Sequence, residues 1–462
     1  MKRALFVLLL AACSSSKPTP VQPIASAPLE SDAGAGAPAA ANKDAGQTTD
    51  PAMSSKETRV VGKTLELMSE LRGVKATRGV PGVKLKREEL VARVKEKALR
   101  EYPPEALRRE GQLIQIMGFA PATFDYLGEM MKLLEAQLEG FYDPKNGTMY
   151  LASELRGKEA QATLAHELVH ALQDMRWDLK SRSDYKPGQG DKTLALAALA
   201  EGDATSAMFD FVMYDPKVPK EKNKTALDIP EAMLRDMMRT AINTGDITSV
   251  PHILRSTLVA PYVDGLVFVQ ALRRKGGWTS VDKAWDRLPQ TTEQILHVDK
   301  WESNEGPVSV PIPTAAALGE GWKKEDEDSF GELGFALTFE EWVEHDDARI
   351  AASGWGGDRS AVYQKGDEIA FAVHSRYDAL PFAERAMTKL TPGLKKAIGK
   401  AALSDGWTLC FERKELGPLL LARKDKDIVL IAGPAKVAGN TWSSAANCTT
   451  AKKWGDEILA QK

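Results

Sequence analysis

Apolar positions fall at helical spacing in the first two thirds of the chain and alternate in the last third. In REELVARVKEKALREY (87–102), Leu90, Val91, Val94 and Leu99 share one helix face. TFDYLGEMMKLLEAQLEG (123–140) predicts a second amphipathic helix, with Gly140 as its C-terminal cap. GVPGVKLK (79–86) suits a short strand after a Pro-Gly turn. Phe141-Tyr142 and Met149-Tyr150-Leu151 flank Pro144-Lys145-Asn146-Gly147, a hairpin pattern. A helix containing ATLAHELVHALQD (162–174) follows directly. KTLALAALAEGDATSAMFDFVMY (192–214) is apolar nearly all round and predicts a buried helix. Helical segments continue to about Trp301.

EGPVSVPIPTAAA (305–317) carries three prolines and reads as a connector. Beyond it, AVYQKGDEIAFAVHSRY and WTLCFERKELGPLLLARKDKDIVLIAG predict strands in antiparallel hairpins, with a helix over PFAERAMTKLTPGLKKAIGKA between them. No internal repeat is visible. The expected fold class is α+β: a mostly helical domain (58–304) with a small sheet and an edge hairpin, then a smaller α+β domain (305–462). Thr148 to Leu151, just ahead of the motif helix, is an edge strand in this reading, able to take an extended peptide by strand addition or else covered by the N-terminal helices.

The N-terminus lies outside this pattern. Lys2 and Arg3 precede ALFVLLLAA, an apolar run too short to span a bilayer, so residues 1–12 read as a signal peptide. Leu10-Ala11-Ala12-Cys13 resembles a bacterial lipobox, which implies lipidation of Cys13 and anchoring to a membrane by more than one acyl chain. By the same resemblance, Ser14 is compatible with display at the periplasmic face of the outer membrane or at the cell surface. Residues 13–57, rich in Ser, Pro, Ala and Gly, read as a disordered tether. Of the three cysteines, Cys410 and Cys448 then remain. In an exported chain a lone pair is most simply a disulfide, with two buried free thiols as the alternative. The formal charge is −3 without basic clusters, so no electrostatic surface for nucleic acid is expected. GWGGDR (354–359) lacks the lysine of a phosphate-binding loop. It reads as a turn in which Asp358 and Arg359 could pair, and no nucleotide is inferred.

The chemistry concentrates in His166-Glu167-Leu168-Val169-His170. Residues four apart share a helix face, so His166 and His170 can present two imidazoles to one ion. Glu167 then stands beside the ion, where a carboxylate can move a proton between water and a leaving amine. Leu164, Leu168 and Leu172 form the inward stripe. For a third ligand, Glu201, Asp203, His252 and His297 are available downstream. Glu201 is preferred because Ala197, Ala198, Ala204 and Thr205 surround it with small side chains. A second helix can come close there, and a buried carboxylate needs something positive to meet it.

HELVHALQD followed by LAEGDA resembles the glutamate-type, thermolysin-like zinc metallopeptidases. The resemblance implies a zincin-like first domain, zinc held by His166, His170 and Glu201, and Glu167 as general base. It makes Asp174 an orienting residue behind the ligands. It departs at Thr205, where such motifs carry Asp; Asp203 is the proposed substitute. A wider resemblance, through GFYDPKNGTMYLA, PYVDGLVFVQALRRKGGW, TTEQILH and AASGWGGDR, is to a group of exported bacterial HExxH proteins. A His or Tyr that stabilises the oxyanion is sought next; His297 is the first choice and Tyr262 the second. The expected function is a membrane-anchored zinc metallopeptidase acting on an extracytoplasmic polypeptide. The alternative is a non-catalytic exported binding or assembly lipoprotein on the same scaffold.

Overall fold

The computed structural model describes residues 53–184, 186–242 and 250–461. The signal segment, Cys13 and nearly all of the tether lie outside the described residues. Among them no helix is long and apolar enough to cross a membrane.

The first described helix is Ser55–Arg72, which starts ahead of the expected boundary at 58. Ser54 and Glu57 cap it reciprocally, and Gly73, at φ 77°, ends it in the left-handed region. Its inward stripe is Val61, Leu65, Met68 and Arg72. The small sheet comprises β1 (Gly82–Leu85), β2 (Gly140–Asp143) and β3 (Thr148–Ala152), in the order β1-β3-β2. β2 and β3 form the expected antiparallel hairpin, with Gly147 at φ 67° in its turn. β1 pairs parallel with β3, Val83 opposite Tyr150. Parallel pairing needs a long crossover, here the helices at Arg87–Glu101, Pro104–Met117 and Tyr126–Gln137.

This corrects two expectations. Thr148 to Leu151 is the central strand, paired on both sides, and has no free edge to offer a peptide. Gly140 opens β2 instead of capping the preceding helix, which ends at Gln137 with Leu138 as its cap. A Cβ at Gly140 would meet the Tyr150 carbonyl at 2.9 Å, so glycine is needed for strand approach.

The later residues form a larger sheet. Its path is β4 (Lys323–Asp328), β5 (Trp355–Lys365), β6 (Glu368–Tyr377), β10 (Asp427–Ala438), β9 (Gly417–Lys424), β8 (Thr408–Arg413) and β7 (Leu403–Asp405); β11 (Thr441–Ser443) also pairs with β10. Alternation is strict where both faces are covered. Leu419 and Leu421 face the main core, whereas Leu420 and Ala422 face the helix Cys448–Leu459 through Ala451, Trp454 and Ile458. Cys410 and Cys448 are joined in a disulfide that ties this helix to β8.

The fold is α+β, with a mostly helical portion followed by the large antiparallel sheet and its helices. Segment 305–317 lies against the sheet: the Val308 N–H donates to the Gly356 carbonyl and Tyr363 Oη donates to that of Pro313. The main core includes residues on both sides of it. Within GWGGDR only Gly354, at φ 85°, lies in a turn; Trp355 to Arg359 open β5. Adjacent strand residues point to opposite faces, so Asp358 and Arg359 do not pair. Asp358 accepts the Phe330 and Gly331 N–H groups and Trp355 Nε1, while Arg359 pairs with Glu327.

Candidate metal centre

Three helices build the site. The motif helix runs Gly157–Trp177 and is buried without a break from Thr163 to Gln173. The second, Gly190–Met213, is buried continuously from Leu194 to Ala207, as its apolar circumference predicts. The third runs from His252 to a break at Gly276 and Gly277, beyond which helix resumes to Asp286, and it crosses the second at Gly202 and Gly265. A Cβ on Gly202 would fall 2.2 Å from the Gly265 carbonyl carbon, and one on Gly265 1.9 Å from the Ala198 oxygen. The two backbones touch, so neither position tolerates a side chain. That contact shuts Glu201, next to the crossing, away from water, and Tyr262, one turn before Gly265, lies beside His166 with ring centroids 6.2 Å apart.

The structure brings His166, His170 and Glu201 together, all buried. His166 Nε2 lies 3.1 Å from His170 Nε2 and 3.2 Å from Glu201 Oε2. His170 Nε2 lies 3.5 Å from the same oxygen. Burial, the largest single influence, pushes the His170 imidazole down, but the charge and hydrogen bond of Glu201, the Glu167 charge and the Gln173 hydrogen bond together outweigh it and hold the ring up at about 9. Burial works to raise Glu201 in turn, and the two imidazoles, His170 foremost, hold it below the usual carboxylate range. Glu167 is fully buried, and its charge acts on the His170 ring.

These residues fit a divalent metal. Tetrahedral zinc, with bonds of about 2.0–2.1 Å, places neighbouring ligand atoms about 3.3 Å apart. The three donor atoms already stand at 3.1, 3.2 and 3.5 Å. Glu201 Oε1 is buried without a hydrogen-bond partner among the described residues. A carboxylate oxygen left so is costly unless a cation meets it.

Behind the cluster stands a residue the sequence reading missed. Gln173 Oε1 accepts from His170 Nδ1 at 2.8 Å. The amide nitrogen donates to the Ala200 carbonyl at 3.0 Å and to Asp203 Oδ2 at 3.2 Å. The signal was its position three residues after His170, on the same helix face. Asp174, expected in this role, does not take it. Positions three and four after His170 flank its face on opposite sides. Gln173 leans to the glutamate helix; Asp174 leans to the hairpin and accepts from Arg78, Tyr142 Oη and the Lys180 N–H at 2.7, 3.0 and 3.0 Å. Asp203 stands one hydrogen bond further back than a direct orienter, and Trp285 Nε1 also donates to it at 2.8 Å.

His297, the first choice for the oxyanion role, is engaged by a carboxylate outside the cluster. It pairs with Glu332 at 2.9 Å, and the other charges acting on it are those of Glu293 and Lys300. Its own helix, Thr292–Leu296, ends one residue before it and the next, Val298–Glu302, begins one residue after it, so His297 is the extended link between the two. Tyr262 is the phenol that packs beside the cluster. An open cavity of about 540 Å³, lined by Arg100, Glu101, Lys145 and Asp184 among others, contains none of these residues.

A family model described as a domain of unknown function (DUF8575) matches residues 318–440. The matched stretch covers β4 to β10 and excludes all three helices of the site. No curated protein and no solved structure matches the chain.

Proposed function

We propose that the chain is a zinc-dependent metallopeptidase that hydrolyses peptide bonds of a polypeptide outside the cytoplasm, tethered to a membrane through lipid on Cys13. The observation that carries this reading is the spacing of His166, His170 and Glu201 at the edge length of a tetrahedral zinc site, with Glu167 buried against it. A purely structural site needs ligands but no additional carboxylate.

His166 and His170, through Nε2, and Glu201, through its carboxylate, would hold the metal. When bound, zinc supplies Lewis acidity, which polarises a peptide carbonyl and makes water acidic near neutral pH. Glu167 takes the proton released as the water oxygen bonds to the carbonyl carbon. It then hands that proton to the amine nitrogen as the C–N bond breaks. Tyr262 offers a hydrogen bond to the carbonyl oxygen as negative charge develops on it. Gln173 holds His170 in the tautomer that keeps Nε2 free for the metal.

One observation favours a second reading, a non-catalytic exported binding or assembly protein with a structural metal: His166, the most exposed of the cluster, is only 4% accessible. Glu167→Gln separates the two. It keeps size and helix propensity and leaves the ligands untouched, so zinc content is retained. On the peptidase reading kcat/KM on a cleaved peptide falls at least about a hundredfold. Wild type that holds zinc and cleaves nothing in a diverse peptide library, or a Glu167→Gln variant as fast as wild type, overturns the peptidase reading.

A further inference from the structure

We propose that Arg72, at the end of the first helix, is a positioning residue of the metal centre: as the counter-ion of Asp203 it fixes the Gln173 amide and thereby the orientation of His170. The inference rests on the metal reading of His166, His170 and Glu201.

Arg72 continues the apolar stripe of Val61, Leu65 and Met68, which forces a guanidinium into the interior at 1% exposure. A cation so placed is costly unless it is paired and hydrogen-bonded. Its fork closes on Asp203 through Nε and Nη2, and Nη1 donates to Asp282 at 2.8 Å. The Trp278 ring lies 4.5 Å from the guanidinium carbon and the Trp177 ring 5.5 Å. Asp203 is itself fully buried, and the Arg72 fork fixes its carboxylate with Oδ2 toward Gln173.

That charge has a directional consequence. The Gln173 side chain has acceptors, Asp203 Oδ2 and the Ala200 carbonyl, at one end and His170 Nδ1 at the other. Only one amide orientation satisfies all three: nitrogen toward the acceptors, oxygen toward the ring. The ring nitrogen at Nδ1 must then carry hydrogen, which turns the Nε2 lone pair into the cluster. Removing the guanidinium takes away the fork that holds the Asp203 carboxylate in place, so the acceptor facing Gln173 is no longer fixed and the amide is free to turn.

The test is the zinc dissociation constant of the full chain in detergent, measured by competition with a chromogenic chelator, alongside the melting temperature of the zinc-free protein. Arg72→Met weakens zinc roughly ten- to a hundredfold, the range for groups that orient a metal ligand. Arg72→Met combined with Asp203→Asn recovers most of that loss, because no buried charge is left over and an amide oxygen still accepts from Gln173. Gln173→Met, which leaves the Arg72–Asp203 pair intact, reproduces the weakening and keeps the inference testable should Arg72→Met not fold. Zinc affinity unchanged in Gln173→Met overturns the relay, as does an Arg72→Met variant that melts earlier yet binds zinc as wild type does. A wild-type chain that binds no zinc overturns the metal reading instead, a distinct result.

Discussion

Among the described residues, two groups of side chains bring three possible ligand atoms within reach of one ion: His166, His170 and Glu201, and Glu293, Glu305 and Asp378. They differ in what neutralises them. Lys300 Nζ sits inside the second group, 2.6 Å from Glu293, 2.8 Å from Glu305 and 2.7 Å from Asp378. That cluster already holds its cation, and two of its acids are exposed. The first group is wholly buried, and no lysine or arginine is paired with it among the described residues. The nearest arginine on its network, Arg72, belongs to Asp203, two hydrogen bonds behind His170. Proximity of acids is therefore weak evidence for a metal. An acid–imidazole set shut from water, with its built-in cations spent elsewhere, is much stronger.

The largest expected effect tests that contrast directly. His166→Ala or Glu201→Ala abolishes stoichiometric zinc, because three protein ligands are the minimum for a catalytic zinc site. Glu305→Ala and Asp378→Ala together leave zinc content at the wild-type level. Elemental analysis after exhaustive dialysis reads both. Zinc retained by Glu201→Ala, or lost from the Glu305/Asp378 variant, reverses the assignment of the two clusters.

A smaller effect separates Tyr262 from His297. If the phenol beside His166 supports the oxyanion, Tyr262→Phe lowers kcat roughly a hundredfold at unchanged zinc content. His297→Ala, which breaks the Glu332 pair, leaves kcat within about threefold of wild type, since single general acids and donors in the reaction contribute far more than that. Steady-state kinetics on one cleaved peptide decides it, and the opposite ranking of the two variants returns the role to His297.

The same contrast explains how much was readable in the sequence. The His pair is four residues apart on one helix, and periodicity alone places both rings on one face. Glu201 was legible because small residues surround it, and Gly202 against Gly265 shows why they must be small. The hairpin followed from its turn residues. What escaped depends on pairings across long stretches of chain. β1 pairs with a strand more than sixty residues later, so the edge status of Thr148 to Leu151 was not local information. Arg72 meets Asp203 across 131 residues. Asp174 against Gln173 is a finer failure. Both lie near the His170 face, and only the packing of the neighbouring helix decides which one reaches the ring. The same holds for His297, whose partner Glu332 comes from the portion beyond the connector.

The smallest effect concerns the lysine-centred cluster and its pH dependence. Burial holds the Glu293 carboxyl up at about 7 against an ordinary value of 4.5, in spite of the hydrogen bond and charge of Lys300; the charges of Glu332 and Asp378 push the same way as burial. A carboxyl raised in the folded state carries an extra proton there between those two values. Its contribution to stability is therefore full below about 4.5 and is lost as pH rises through about 7. Glu293→Gln removes this loss while keeping the shape of the side chain, and Glu332, Asp378, Glu305 and His297 are common to both proteins. The melting temperature of the variant relative to wild type, both at the same zinc loading, thus climbs between pH 4.5 and 7, by on the order of a few degrees in a chain of this size. Below that window the two differ only through the altered contact with Lys300. If the relative melting temperature falls instead as pH rises, attraction to Lys300 outweighs burial. The carboxylate is then held low, and the second cluster is a stabilising ion network, not a strained one.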